Sequence, residues 1–236
     1  MAKKHKIVII GAGFAGVTLA TSLKNKNTDI VLIDQNNYHN FQPLMYQVAT
    51  GGLEPYSIAY PVRRIFRNRK NVRFRMTKVK SVHVAKKYIK TSVGKFNYDY
   101  LVIATGSTNN FFDFESIKKT LFPLKSIPDA LNMRSFIFQN LEKSLTKQDD
   151  ESLEEILNIA VVGGGPAGIE LAGALAEMKR FVIPKDFPDL DTSKLSINLY
   201  QSAPRLLKTM SKDASDKSLE YLQKLGINVF LNSRVT

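Results

Sequence analysis

Two glycine triplets are the residues of this 236-residue chain whose spacing could do chemistry. In "VIIGAGFAGVTLA" (8–20), Gly11, Gly13 and Gly16 fit G-x-G-x-x-G. In "VVGGGPAGIELAGALAE" (161–177), Gly163, Gly165 and Gly168 repeat the pattern. The first glycine of each permits a tight turn, the second lets backbone approach a diphosphate, and the third lets a helix pack closely on its strand. A helix starting there offers unpaired N–H groups and partial positive charge to the diphosphate. Pro166 suits the first position of the second helix, where its missing N–H is no loss. The chemistry implied is the cradling of two dinucleotides.

A ribose-binding acid is expected roughly 20 residues after the first glycine. Asp34 stands 23 residues after Gly11, at the end of "DIVLID". The second unit departs from this rule: the corresponding strand end is Gln201, 38 residues after Gly163, because "FVIPKDFPDLDTSKL" lengthens the crossover. An amide can bond a ribose hydroxyl but does not repel a 2′-phosphate, and Arg205, four residues on, could attract one. The expectation is weaker discrimination between NADH and NADPH than a carboxylate would give.

The elements that position these turns alternate. "KIVII" (6–10) reads as a buried strand, residues 14–25 as a helix with Ala15, Leu19, Ala20 and Leu23 on its apolar stripe, and 29–34 as a second strand. Residues 35–62 read as irregular, with "IAYPVRRIF" a short helix interrupted or started near Pro61. "VRFRMTKVKSVHV" and "YIKTSVGKFNYDYLVIAT" alternate apolar and polar residues like half-buried antiparallel strands, the final "YLVIAT" being interior. Residues 127–145 read as a helix with Leu131, Phe138, Leu141 and Leu145 on its stripes, and "TKQDDESLEE" as a charged connector. Then follow strand "LNIAVV", helix 166–180, strand "LSINLY", helix "DASDKSLEYLQKL" and strand "INVFL". The fold class is α/β: two Rossmann-like dinucleotide-binding units with an antiparallel β segment between them. The domains expected are 1–125 and 126–236.

Composition bounds the rest. There is no cysteine, which excludes disulfide frameworks and Cys-x-x-Cys redox pairs, and His5 and His83 have no ligand cluster around them, so no metal site is read. No apolar run approaches the roughly 18 residues of a membrane span, and "MAKKHK" leads straight into a strand, so the chain reads as intracellular and without a signal peptide. Net charge is +13, and residues 63–95 hold 13 Lys or Arg and no Asp or Glu; outside them the charges balance. Such a segment suits a solvated outer face or an anionic membrane surface, and no recognised nucleic-acid module accompanies it.

Two such units flanking an antiparallel stretch that ends in "ATG" (104–106) resemble the two-dinucleotide flavoproteins. Within them, "DQNNYHNFQPLMYQVATGGLEP" (34–55), "VVGGGPAGIELAGALAEM" and "APRLL" (203–207) resemble the type II NADH dehydrogenases, or non-proton-pumping NADH:quinone oxidoreductases. The resemblance implies that the first turn holds FAD and the second NADH or NADPH, with hydride passing to the flavin and electrons on to a membrane quinone. It maps FAD contacts onto Gly11, Gly13, Phe14, Ala15, Gly16, Asp34, Gln35, Gln42, Val79, Thr105 and Gly106. Nicotinamide-cofactor contacts map onto Gly163, Gly165, Pro166, Ala167, Gly168 and Gln201.

Glu170 matches that family's catalytic glutamate, near the nicotinamide and flavin; its plain alternative is an acid favoured near a helix N-terminus by the dipole. Tyr38 and His39 read as hydrogen-bonding partners of their neighbours. Relatives are expected to continue beyond Thr236 with a returning part of the FAD domain, quinone-site residues and amphipathic membrane helices. The resemblance thus implies a peripheral protein on the cytoplasmic face of the inner membrane when full-length, soluble as these 236 residues, with room for a homodimer. Two alternatives stay open: a ferredoxin- or rubredoxin-type reductase, and a redox-sensing module that binds nucleotides without turnover.

Overall fold

The computed structural model describes residues 4–24, 27–111, 120–146 and 150–235. It divides into two units, Met1–Phe41 with Pro55–Asn109, and Gln42–Glu54 with Asn110–Thr236.

In the first unit "KIVII" becomes β1 (His5–Ile10), followed by α1 (Phe14–Ser22) and β2 (Thr28–Asp34). The helix ends at Ser22 rather than 25, and residue 25 lies outside the described residues. Residues 35–62 are more ordered than expected: they hold β3 (Tyr38–Asn40), α2 (Met45–Ala49, in the second unit), β4 (Ala59–Pro61) and α3 (Val62–Ile65). The last of these starts directly after Pro61, whose ring fixes a backbone suited to a helix start. Strands β3 and β4 pair antiparallel, with His39 opposite Tyr60.

β5 (Val72–Met76), β6 (Val79–His83), β7 (Tyr88–Thr91), β8 (Gly94–Asn97) and β9 (Tyr100–Ile103) follow. Two expectations change here. β5 is not antiparallel: it is an edge strand of a four-stranded parallel sheet, order β5-β2-β1-β9. Its alternation comes from Val72 and Phe74 facing the core while Arg73 and Arg75 face out, a pattern blind to strand direction. β9 pairs parallel with β1 but lies at the other edge, with Tyr100 58% and Ile103 67% exposed, so its apolar run is not interior. Only β6, β7 and β8 form the antiparallel segment.

This sheet is covered on both faces, which explains the unbroken apolar runs of β1 and β2. Ile7, Ile9, Ile30, Leu32 and Phe74 pack with Ala20, Val62 and Phe66. Val8, Ile10, Val31 and Ile33 pack with Ile89 and Tyr98 beside the antiparallel segment. Along α1, Gly16 and Ala20 are buried while Ala15 is exposed, because its first turn faces open space.

The second unit contains α4 (Ile127–Ser144), closed by a capping box in which the Ser126 hydroxyl accepts from the Asp129 N–H and the Asp129 carboxylate accepts from the Ser126 N–H. Its buried stripe is Ile127, Ala130, Met133, Ile137 and Leu141; the expected Leu131 and Leu145 are exposed. The supposed connector instead contains α5 (Asp150–Leu157), with residues 147–149 outside the described residues. β10 (Asn158–Val162) leads to α6 (Pro166–Glu177), which continues through one π-helical turn (Met178–Val182) into α7 (Ile183–Asp186). β11 (Ser196–Tyr200), α8 (Lys212–Lys224) and β12 (Asn228–Phe230) complete a three-stranded parallel sheet, order β10-β11-β12. An amide ladder crosses it: Asn228 donates to the Asn198 side chain at 2.8 Å, and Asn198 donates to that of Asn158 at 2.7 Å. Because a one-residue slip would break both bonds, the ladder holds the register that aligns the strand ends.

Candidate functional site: two glycine turns

The first turn leaves β1 at Gly11, whose φ of +107° suits glycine. Its N–H donates to Ile33 at 2.7 Å, and a Cβ there would lie 2.2 Å from the Ala104 carbonyl oxygen, so the end of β9 crosses against it. The Ala12 N–H donates to Asp34 Oδ2 at 2.7 Å, while Asp34 Oδ1 accepts from the Asn36 N–H at 2.8 Å. On the other side of Ala12, its carbonyl lies 2.9 Å from His39 Nδ1. Gly13 follows, exposed, with nothing within 4 Å of an added Cβ, and is the N-cap of α1. Gly16 is the opposite case: its Cβ would lie 1.8 Å from the Gly11 carbonyl oxygen.

No side chain caps α1 and no acid sits in its first turn, so its leading N–H groups remain available to an anion. Phe14, about half exposed, lies edge-on to His39 and Phe41 at ring-centre distances of 5.1 and 5.6 Å. Gln35 is exposed just past Asp34, and Thr105 and Gly106 are exposed just past β9, Gly106 with φ of +69°. Val79 opens β6 opposite Thr91. Gln42 belongs to the second unit, where its amide donates to the Lys125 carbonyl at 3.1 Å. Beside this turn, burial and the Asp34 charge raise the Tyr38 phenol above its usual range, so it stays a neutral hydroxyl in water near neutrality.

The second turn repeats the first in its two N–H bonds and differs in what holds its middle carbonyl. Gly163 has φ of +109° and its N–H donates to Tyr200 at 2.8 Å. The Gly164 N–H donates to Gln201 Oε1 at 3.0 Å, the place that Asp34 takes in the first unit. The Gly164 carbonyl accepts from the Leu207 N–H at 2.8 Å. Gly165 is exposed with nothing near an added Cβ, and Gly168 would drive one to 1.9 Å from the Gly163 carbonyl oxygen. Pro166 opens α6, Ala167 is exposed, and Glu170 is exposed one turn further along.

Arg205 does not stand free beside Gln201. Its guanidinium donates to the carbonyls of Lys208, Met210 and Ser211, and its own carbonyl accepts from Gln201 Nε2 at 3.3 Å. The arginine thus braces its own loop, which fixes which way the Gln201 amide faces. Its side chain offers a 2′-phosphate much less than the sequence suggested.

Sequence reasoning passed over Gly164 and Leu207. A Cβ on Gly164 would lie 2.5 Å from the Leu206 side chain, so the middle glycine of "GGG" is the crowded one, while Gly165 beside it is open. That run was the available signal.

The basic stretch 63–95 splits between structural and free charges. Arg69 donates to the Ala20, Thr21 and Leu23 carbonyls at the end of α1, and Arg73 pairs with Asp29 at 2.7 Å. Arg63 donates to the Phe74 carbonyl and lies over its ring. Lys80, Lys86 and Lys90 are exposed, with no acidic partner among the described residues.

Two open glycine turns, each leading from a parallel strand into a helix, define a Rossmann-like α/β protein. The chain belongs to the pyridine nucleotide-disulphide oxidoreductase family, whose pattern it matches over residues 5–236. It is 34% identical over 238 residues to a type II NADH:quinone oxidoreductase (Ndh) of Mycobacterium tuberculosis, covering 99% of this chain and 51% of the relative. It is also 34% identical to an external alternative NAD(P)H-ubiquinone oxidoreductase, B2, of Arabidopsis thaliana, covering 99% and 42%. Its fold is similar to the NDH2 of Plasmodium falciparum solved in complex with NADH, with a TM-score of 0.89 and 30% identity over 98% of this chain and 48% of that one. The chain spans about half the length of the relatives it matches. Lacking cysteine, it has no redox disulfide of its own.

Proposed function

We propose that these residues hold FAD in the first turn and NADH or NADPH in the second, and serve a NADH:quinone oxidoreductase. The observation that carries this reading is the paired openness of the turns: at Gly13 and Gly165 nothing among the described residues, chain neighbours aside, stands within 4 Å of where a side chain would begin. Each opening faces the uncapped start of a helix, the surroundings a diphosphate requires.

Asp34 and Gln201 each pin the turn through one oxygen and take a ribose hydroxyl with their remaining capacity. Phe14, Ala15, Gln35, Val79, Thr105 and Gly106 complete the flavin side in this reading, and Pro166 and Ala167 the nicotinamide side. Bound FAD would supply the two-electron acceptor that a reduced nicotinamide needs and a donor that a quinone can use. The protein's own work is orientation, and Glu170, exposed one turn into α6, is the acid that the family resemblance assigns to this chemistry.

The test is a visible spectrum. Protein purified with FAD should show the flavin band, bleach on NADH, and recover on adding a soluble quinone. Because Gln201 carries no charge to repel a 2′-phosphate, NADPH should bleach it at a rate within about tenfold of NADH, one tenfold step being about 1.4 kcal/mol. A bound flavin that neither nucleotide bleaches would favour the sensing module. Recovery with rubredoxin but not quinone would favour the other reductase class.

A peripheral seat on the anionic cytoplasmic face of a membrane belongs to the same proposal; no described helix is long and apolar enough to cross one. The exposed lysines of β6 to β8 supply the attraction, each worth about 1 kcal/mol near such a surface. The chain should co-sediment with phosphatidylglycerol vesicles at low salt, and not with phosphatidylcholine ones. Joint Lys80→Glu, Lys86→Glu and Lys90→Glu should weaken this more than about tenfold. Equal capture by both vesicle types would remove that role.

A further inference from the structure

The Ala12 carbonyl and the Gly13 N–H belong to one peptide group, and in a planar trans peptide they point in opposite directions. Whatever grips the carbonyl therefore aims the N–H. In the second turn the grip is backbone, the Leu207 N–H on the Gly164 carbonyl at 2.8 Å. In the first turn it is a side chain, His39 Nδ1 on the Ala12 carbonyl at 2.9 Å.

We infer that His39 is a positioning residue for the first turn: it donates through Nδ1–H to the Ala12 carbonyl and so directs the Gly13 N–H into the open diphosphate space. A carbonyl only accepts, so the contact requires the proton on Nδ1. The ring is held by Phe14 edge-on at 5.1 Å and by its place in β3, where it lies opposite Tyr60 of β4. Ala12 is thus pinned on both sides, its N–H by Asp34 and its carbonyl by His39, and it is 2% exposed. On the Gly13 side the turn is open. The short β3–β4 pair, which sequence reading left irregular, acquires a purpose: it carries the strut.

This inference rests on the first turn being the FAD site, and its test separates the two. His39→Asn keeps a donor close to the Nδ1 position; His39→Phe keeps a ring against Phe14 and removes the donor. FAD affinity, measured by flavin fluorescence, should fall roughly tenfold or more in the Phe variant, the loss of one well-placed hydrogen bond, and no more than about threefold in Asn. NADH binding at the second turn should be unchanged in both; the thermal midpoint without FAD should hold in Asn and fall in Phe by no more than the few degrees that one lost hydrogen bond costs.

Independently of FAD, long-range ¹H–¹⁵N spectra should show His39 protonated at Nδ1, and the Gly13 amide resonance should move in the Phe variant but hardly in Asn. If wild-type protein takes up no FAD, the FAD reading fails, and these resonances still decide the strut. A Phe variant that binds FAD like wild type, or a His39 protonated only at Nε2, overturns the inference.

Discussion

Gly165→Glu is expected to abolish useful NADH binding while leaving the fold intact. The backbone there, φ −82° and ψ 179°, is extended and open to any residue, and an added Cβ meets nothing within 4 Å. Stability should therefore stay within about 0.5 kcal/mol of wild type, as for other unconstrained surface changes. Binding is another matter, since the new carboxylate would occupy the space assigned to a diphosphate. Two like charges about 4 Å apart repel by roughly 4 kcal/mol at an effective dielectric of 20, and exposure reduces this to about 2–3 kcal/mol. That corresponds to roughly 100-fold weaker binding. Calorimetric titration with NADH reads it directly, FAD uptake serving as the internal control. A variant that binds NADH normally would move the nicotinamide cofactor away from this turn.

Much of this arrangement was legible because glycine leaves a literal mark. The positions that crowd backbone (Gly11, Gly16, Gly168) and those that face open space (Gly13, Gly165) fall where the spacing puts them. Buried parallel strands announced themselves as unbroken apolar runs, since both faces of β1 and β2 are covered. What failed was information that lies in pairing partners. Alternation in β5 spoke of one exposed face and could not distinguish a parallel edge from an antiparallel hairpin. Apolarity in β9 could not say that nothing flanks its outer edge among the described residues.

Long-range hydrogen bonds were equally silent. Nothing in "NNYHNF" indicates that His39 reaches the Ala12 carbonyl 27 residues away, and nothing in "APRLL" indicates that Arg205 spends its donors on its own loop. The place of Gln201, like that of Asp34 at the end of the second strand of its unit, was readable; that both accept from the N–H of the same turn position was not.

Gly16→Ala should be strongly destabilising, since among the glycines its added methyl group meets backbone at the shortest distance. At 1.8 Å from the Gly11 carbonyl oxygen, the new Cβ lies far inside contact distance, and the obstacle is backbone that cannot rotate away. Relief requires α1 to lift from β1 by more than an ångström, which breaks the packing of Ala20 and Leu19 against the sheet and carries the helix N-terminus away from the turn. The expected destabilisation is about 3 kcal/mol or more, at or above the upper end of what overpacking a core usually costs, because the obstacle is backbone. Retained flavin should drop to background.

Because such a variant could simply misfold, the decisive comparison is Gly168→Ala. It makes the same collision, 1.9 Å, in the second turn, where NADH binding should be lost while flavin is retained. Gly13→Ala adds a methyl group to open space and should fold normally. Should Gly16→Ala and Gly168→Ala cost the same ligand, the division of labour between the turns would be wrong. Should Gly16→Ala be as stable as Gly13→Ala, the close helix–strand contact that defines the turn would not exist in solution.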